Sequence, residues 1–190
     1  MKKRKKKYLD NLYTYDKSNN TYEINLSLKG YEEVFNPFDY SQFKKRDLDS
    51  DFLDYIYDCA LDIPLSYGIK LIFYLNKEIE DEAKNNNLKN AIKNNIYWKQ
   101  RDNYKTLARG YRKVLTFFII GIIFSVIGAM VDRFSGLGLF SNILYDGMVV
   151  ACWVFWWKAI EMLAFDLVGL IRENRYLKRL LNCKMEFKKY

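Results

Sequence analysis

Residues 114–131 read VLTFFIIGIIFSVIGAMV, and this stretch decides the fold. It holds neither a charge nor a proline. At ~1.5 Å rise per residue it makes a helix ~27 Å long, close to the hydrocarbon thickness of a bilayer. Arg112 and Lys113 stop it on one side; Asp132 and Arg133 stop it on the other. It reads as a first transmembrane helix. The linker 132–142, DRFSGLGLFSN, is short and contains glycine, so it joins antiparallel neighbours. A second span is expected over 143–165, cleanest over 147–157. Trp153, Trp156 and Trp157 lie towards its later half and suit an interfacial belt.

The flanks of this hairpin are cationic. Lys99 and Arg101 lead to Lys105, Arg109, Arg112 and Lys113 before the first span; Arg172, Arg175, Lys178 and Arg179 follow the second. Near 99–113 the cations interleave with Tyr and Trp, a pattern that also suits nucleic acid. Placed directly before a span, it reads better as contact with anionic headgroups. The connecting loop is nearly neutral. The positive-inside rule then puts both termini in the cytoplasm and 132–142 outside. Most of the formal net charge of +8 has the same explanation; the chain is also rich in Lys, Asn, Tyr and Ile, which AT-rich coding favours, so mutational bias is a second source.

Two patterns inside the hairpin have more than one reading. Gly121, Ser125 and Ala129 share a helical stripe, with Gly128 beside Ala129. Small residues let helices approach closely, against the second span or a neighbouring subunit. The bland alternative is chance. Lys158 and Glu161 are three apart and share a helix face, where they can pair. A charged pair within a membrane is a candidate functional site. If the span starts near 143, however, Lys158 is ~24 Å along it. Snorkelling at the inner interface is then the favoured reading. Asp166 lies deeper in the cytoplasmic margin.

Outside the hairpin the chain is polar, and its mean hydropathy is −0.28. Residues 1–7 form a basic tail, read as solvated chain or as a headgroup contact. KKRKKK at 2–7 resembles the start of a signal peptide, but YLDNLYTYD follows instead of an apolar run, so none is expected. Residues 8–113 read as an α+β domain ending in a long basic helix. Tyr8 to Tyr15 is aromatic-rich, DKSNN at 16–20 is turn chemistry, and TYEINLSL at 21–28 alternates strictly. YEEVF at 31–35 is expected as a further short strand. A helix starts near Asp49 or Ser50, with Phe52, Leu53, Ile56, Cys59, Ala60 and Ile63 as its apolar stripe and Pro64 closing it. Asp47, Asp49, Asp51, Asp54 and Asp58 read as capping and a solvated face rather than a metal site. IKLIFYL at 69–75 predicts a central strand. A long helix is expected from about Leu88. Residues 166–190 form a basic helix, then KMEFKKY at 184–190 as a strand returning to the sheet.

Histidine is absent and the three cysteines, Cys59, Cys152 and Cys183, are scattered. A His-assisted nucleophile and a histidine metal site are excluded. Scattered thiols fit small hydrophobes in a reducing compartment. There is no glycine-rich phosphate loop and no paired-carboxylate motif. The expectation is a protein that is not an enzyme and carries no cofactor or metal.

RDLDSDFLDYI at 46–56, WVFWWKAIEML at 153–163 and YLKRLL at 176–181 together resemble an uncharacterised family of small bacterial membrane proteins. The resemblance covers roughly 46–190. It implies a cytoplasmic α/β region, two transmembrane helices, a basic helix and a short terminal strand. Lys158 stands where that family would have Arg, and Ala159 where it would have Pro; without the proline the expected kink is lost. The resemblance implies architecture and no activity.

The fold class expected is an α+β membrane protein, a small cytoplasmic sheet-plus-helix domain with a two-helix transmembrane hairpin inserted between long basic helices. It would lie in the bacterial inner membrane. The expected function is a membrane-anchored, homo-oligomeric sensor, effector or channel-like protein. The alternatives are a tethered adaptor for a cytoplasmic protein, or a nucleotide- or nucleic-acid-binding membrane protein. The bilayer with its anionic headgroups is the first expected partner.

Overall fold

The alternating stretch and the apolar stretch lie side by side as strands. In the computed structural model, which describes residues 8–40, 46–75, 81–133 and 138–189, a four-stranded sheet has the order β1 (Thr14–Asp16), β2 (Thr21–Ser27), β3 (Gly68–Leu75), β4 (Lys184–Lys189). The helices are α1 (8–12), α2 (Ser50–Asp62), α3 (Glu82–Arg133), α4 (Leu139–Glu161) and α5 (Leu167–Leu181), with a π-helical segment Met162–Asp166 between the last two. The chain is α+β, with two helices long and apolar enough to cross a membrane. It divides into two units, Met1–Arg101 with Asn174–Tyr190, and Asp102–Glu173.

In the first unit β1 and β2 form an antiparallel hairpin with Tyr15 opposite Tyr22. The turn is ordered by Asp16, whose carboxylate accepts from Ser18 N–H at 2.9 Å and Asn19 Nδ2 at 2.7 Å. These bonds, the Ser18 side chain first, hold the Asp16 pKa down at about 2. β2 and β4 flank β3, both parallel to it, with Ile24 opposite Leu71 and Phe73 opposite Phe187. The connection from β3 to β4 therefore contains the whole second unit. The hairpin is an insertion into the crossover of an otherwise small α+β sheet.

One sheet face makes the core. Tyr22, Ile24, Leu71, Phe73 and Leu75 are buried against Ile56, Cys59 and Ala60 of α2, Leu88, Ile92 and Ile96 of α3, and Leu177 and Leu180 of α5. The Phe73 and Phe187 rings stack at 5.0 Å. On the other face Lys70 Nζ bridges Glu186 Oε2 at 2.8 Å and Glu23 Oε1 at 3.4 Å. The Glu186 bond above all raises the Lys70 pKa. Asp49 caps α2, its Oδ1 accepting from Asp51 N–H at 2.9 Å and Phe52 N–H at 3.1 Å. Ile63 and Pro64 follow its end, as the sequence predicts. All three cysteines are buried and unpaired, and burial pushes the Cys183 thiol up to about 12.

Four expectations need correcting. Residues 31–35 are not a strand: Tyr31–Val34 is a 3₁₀ turn, and Phe35 makes only an isolated bridge to Leu48. The Tyr31 hydroxyl explains the departure, donating to Asn85 Oδ1 at 2.6 Å and accepting from Asp81 N–H at 3.1 Å. Of the aromatic stretch 8–15, residues 8–12 are helical and the strand begins only at Thr14. The long helix starts at Glu82 rather than Leu88, because Asp81 Oδ1 caps it by accepting from Ala83 N–H at 2.8 Å. Most of the expected loop 132–142 is helical, since α3 runs to Arg133 and α4 starts at Leu139 after Gly138 at φ 87°. The basic tail 1–7 lies outside the described residues.

In the second unit the helices meet over a narrow seam. Leu107, Val114, Ala159, Met162 and Leu167 are buried together. Gly110 lies against Leu167 and Gly121 against Trp156, each so close that a Cβ would collide with the partner side chain. Phe117 and Phe124 stack on Phe155, and Phe118 on Trp156. The rest of the apolar surface faces outward. Only 17% of the most apolar window of each candidate span is buried.

Candidate functional site

The candidate site sits on α4, just before the helix changes pitch. Spacing of three brings Lys158 and Glu161 together, Nζ to Oε2 at 3.0 Å, and both side chains remain about half exposed (48% and 45%). They end an apolar groove of about 500 Å³ whose other walls are Phe117, Trp153, Val154, Phe155 and Trp157. The ion pair closes a groove whose other lining residues are all apolar or aromatic. Beyond Glu161 the backbone goes over to π-helical hydrogen bonding, with Leu167 N–H donating to Met162 O. Such segments are rare and gather at functional sites. α4 runs unbroken through Ala159, and the irregularity begins at Met162.

The small-residue stripe does two things. Gly121 is buried against Trp156, and Gly128 is buried with Met148 Cβ close by, so both serve packing between the two helices. Ser125 and Ala129 are exposed and border a second hollow of about 300 Å³ beside Tyr145, Cys152 and Trp156. Of the three tryptophans, Trp153 and Trp157 face outward (64% and 68% exposed), where an interfacial belt needs them. Trp156 turns inward, and its buried Nε1 has no acceptor among the described residues. It packs the seam instead.

The basic residues also separate. Arg112, Lys113, Arg172, Arg175 and Lys178 are exposed. Lys105 pairs loosely with Asp102 Oδ1 at 3.5 Å, and Arg109 donates to Thr106 Oγ1 at 3.2 Å, both on the surface. Arg179 is not a headgroup contact. Its guanidinium closes the end of α2: Nη1 donates to Pro64 O at 2.7 Å and Tyr67 O at 3.1 Å, and Nη2 to Ala60 O and to Ile63 O at 2.9 Å. The last carbonyls of a helix lack intrahelical donors, and a cation there suits the helix dipole. Burial lowers the Arg179 pKa.

Sequence reasoning missed Gly110, whose signal was a glycine inside a helical pattern. It also missed the π segment and the capping role of Arg179, for which no local signal exists. No protein-family model, no curated protein and no solved structure matches the chain.

Proposed function

We propose that the chain is a membrane-anchored, homo-oligomeric sensor or effector of the bacterial inner membrane, not an enzyme, in which the α+β unit is cytoplasmic and governs the two-helix hairpin. Both termini lie on the cytoplasmic side, on the positive-inside rule. One observation carries the reading: the half-exposed Lys158–Glu161 pair ends an outward apolar groove. In lipid such a pair is costly unless headgroups or another copy of the chain cover it. A second copy would cover the groove and the tryptophans that line it. Two helices cannot enclose a conducting path, so any flux requires several copies.

The test is the mass of the purified chain in lipid nanodiscs, together with dye or ion flux from liposomes. A defined oligomer that Lys158→Met reduces to a monomer is the expected result. A monomer in nanodiscs overturns the oligomer. The adaptor reading would then lead, favoured by Phe38 and Tyr40 of the first unit, which are 93% and 103% exposed. Exposed aromatic side chains of that kind suit a protein partner.

A further inference from the structure

The first unit holds a cavity of about 390 Å³ that the membrane reading does not use. It opens where the three parallel strands begin. Thr21 of β2, Gly68 and Lys70 of β3, Lys184 and Glu186 of β4, and Arg179 of α5 line it. A Cβ at Gly68 would strike the Thr21 side chain, so glycine lets the two strand starts close together. The amides of Asn19 and Asn182 stand in the same wall; their Nδ2 groups donate to Asp16 Oδ2 at 2.7 Å and to Lys178 O at 3.0 Å, which leaves their carbonyl oxygens as acceptors for a ligand.

The charges of this cavity do not balance. Its one carboxylate, Glu186, is engaged by Lys70 at 2.8 Å. Lys70 has a second carboxylate, Glu23, at 3.4 Å. Arg179 donates to four carbonyl oxygens and makes no ion pair among the described residues. Lys184 is exposed and likewise makes none. With Glu23 included, three cations meet two carboxylates, and the excess positive charge rests with Arg179 and Lys184. A concave site with low-dielectric walls concentrates the opposite charge. The Nη groups of Arg179 are occupied by carbonyls, so it acts through its fixed field, while the mobile ammonium of Lys184 is free to touch the ligand. The volume lies within the ~300–1,000 Å³ of small-molecule pockets.

We propose that this cavity binds a small soluble phosphate ester of the size of a nucleoside monophosphate, its phosphate on Lys184 in the field of Arg179 and its polar body against Asn19, Asn182 and Thr21. The site goes beyond the membrane reading and stands or falls apart from it, because all its residues belong to the α+β unit.

The experiment is thermal unfolding of the full chain in detergent with millimolar AMP, inorganic phosphate or neither. Ligand that binds only the folded chain raises the midpoint. AMP is expected to raise it, and inorganic phosphate less. Lys184→Glu is expected to leave the ligand-free midpoint in place and to weaken AMP binding about tenfold, the scale of one charge-assisted hydrogen bond, while Lys184→Arg retains it. No shift with AMP overturns the proposal. So does a shift that Lys184→Glu leaves intact, and so does inorganic phosphate matching AMP, since the ester would then contribute nothing.

Discussion

The α+β unit and the hairpin unit use the same apolar side chains in opposite directions. In the first, Leu71, Phe73 and Leu75 are 0% exposed; in the second, Ile122 and Ile123 are 49% and 50% exposed. The difference lies in what holds each unit together. The sheet and its helices bury apolar surface away from water, at about 25 cal/mol per Å². The hairpin buries little. It relies on close approach at Gly110 and Gly121 and on stacked rings, the kind of packing that works where lipid removes any hydrophobic drive between helices. Apolar composition alone does not say whether a side chain points in or out. Its neighbours decide: polar residues alternate through β2, whereas 114–131 carries no charge at all.

The largest effect is expected in the sheet. Phe73→Ala removes a fully buried ring from both the core and the Phe187 stack, at a cost of about 3–5 kcal/mol. Chemical denaturation followed by circular dichroism measures it, with Ile123→Ala as the control that barely moves. Equal losses at both positions would break the contrast between the units.

Next comes a charge placed on the outward face of the hairpin. Ile123→Asp should cost about 2.5–3.5 kcal/mol of membrane insertion, read as the fraction that stays with membranes through an alkaline wash. An unchanged fraction would mean that the exposed apolar face meets something other than lipid.

The smallest effect sharpens the comparison within α5. Arg179→Met leaves the α2 carbonyls without their donor and should cost about 1.5–3 kcal/mol in thermal stability. The exposed Arg175→Met should leave stability alone and weaken binding to anionic vesicles by ~1 kcal/mol. The opposite assignment would restore Arg179 to the headgroup set.

Much of the fold was legible in the sequence. The β2 alternation, the Asp49 cap, the Pro64 stop, the apolar β3 and the returning terminal strand are local patterns, and each reports its own element. The pairing of Lys158 with Glu161 was legible for the same reason, since helical spacing of three suffices. The misses share a cause as well. Residues 31–35 carry apolar and aromatic side chains that suit a strand, but Tyr31 reaches a partner fifty-four positions away, and the backbone turns to serve it.

By itself the sequence determined two long apolar helices, the α+β region around them and the insertion of one in the other. Uninterrupted length, period-two alternation and capping residues are properties of neighbours along the chain. Only the tertiary structure decided which charges stay at the surface and which are built in. Arg175, Lys178 and Arg179 read alike in sequence, yet Arg179 alone holds carbonyls up to 119 positions away. It also decided that Trp156 packs inward while Trp153 and Trp157 face out, and that Lys184 stands free beside a cavity. A charged or aromatic side chain takes its role from what is near it in space, and folding places those neighbours there from distant parts of the chain.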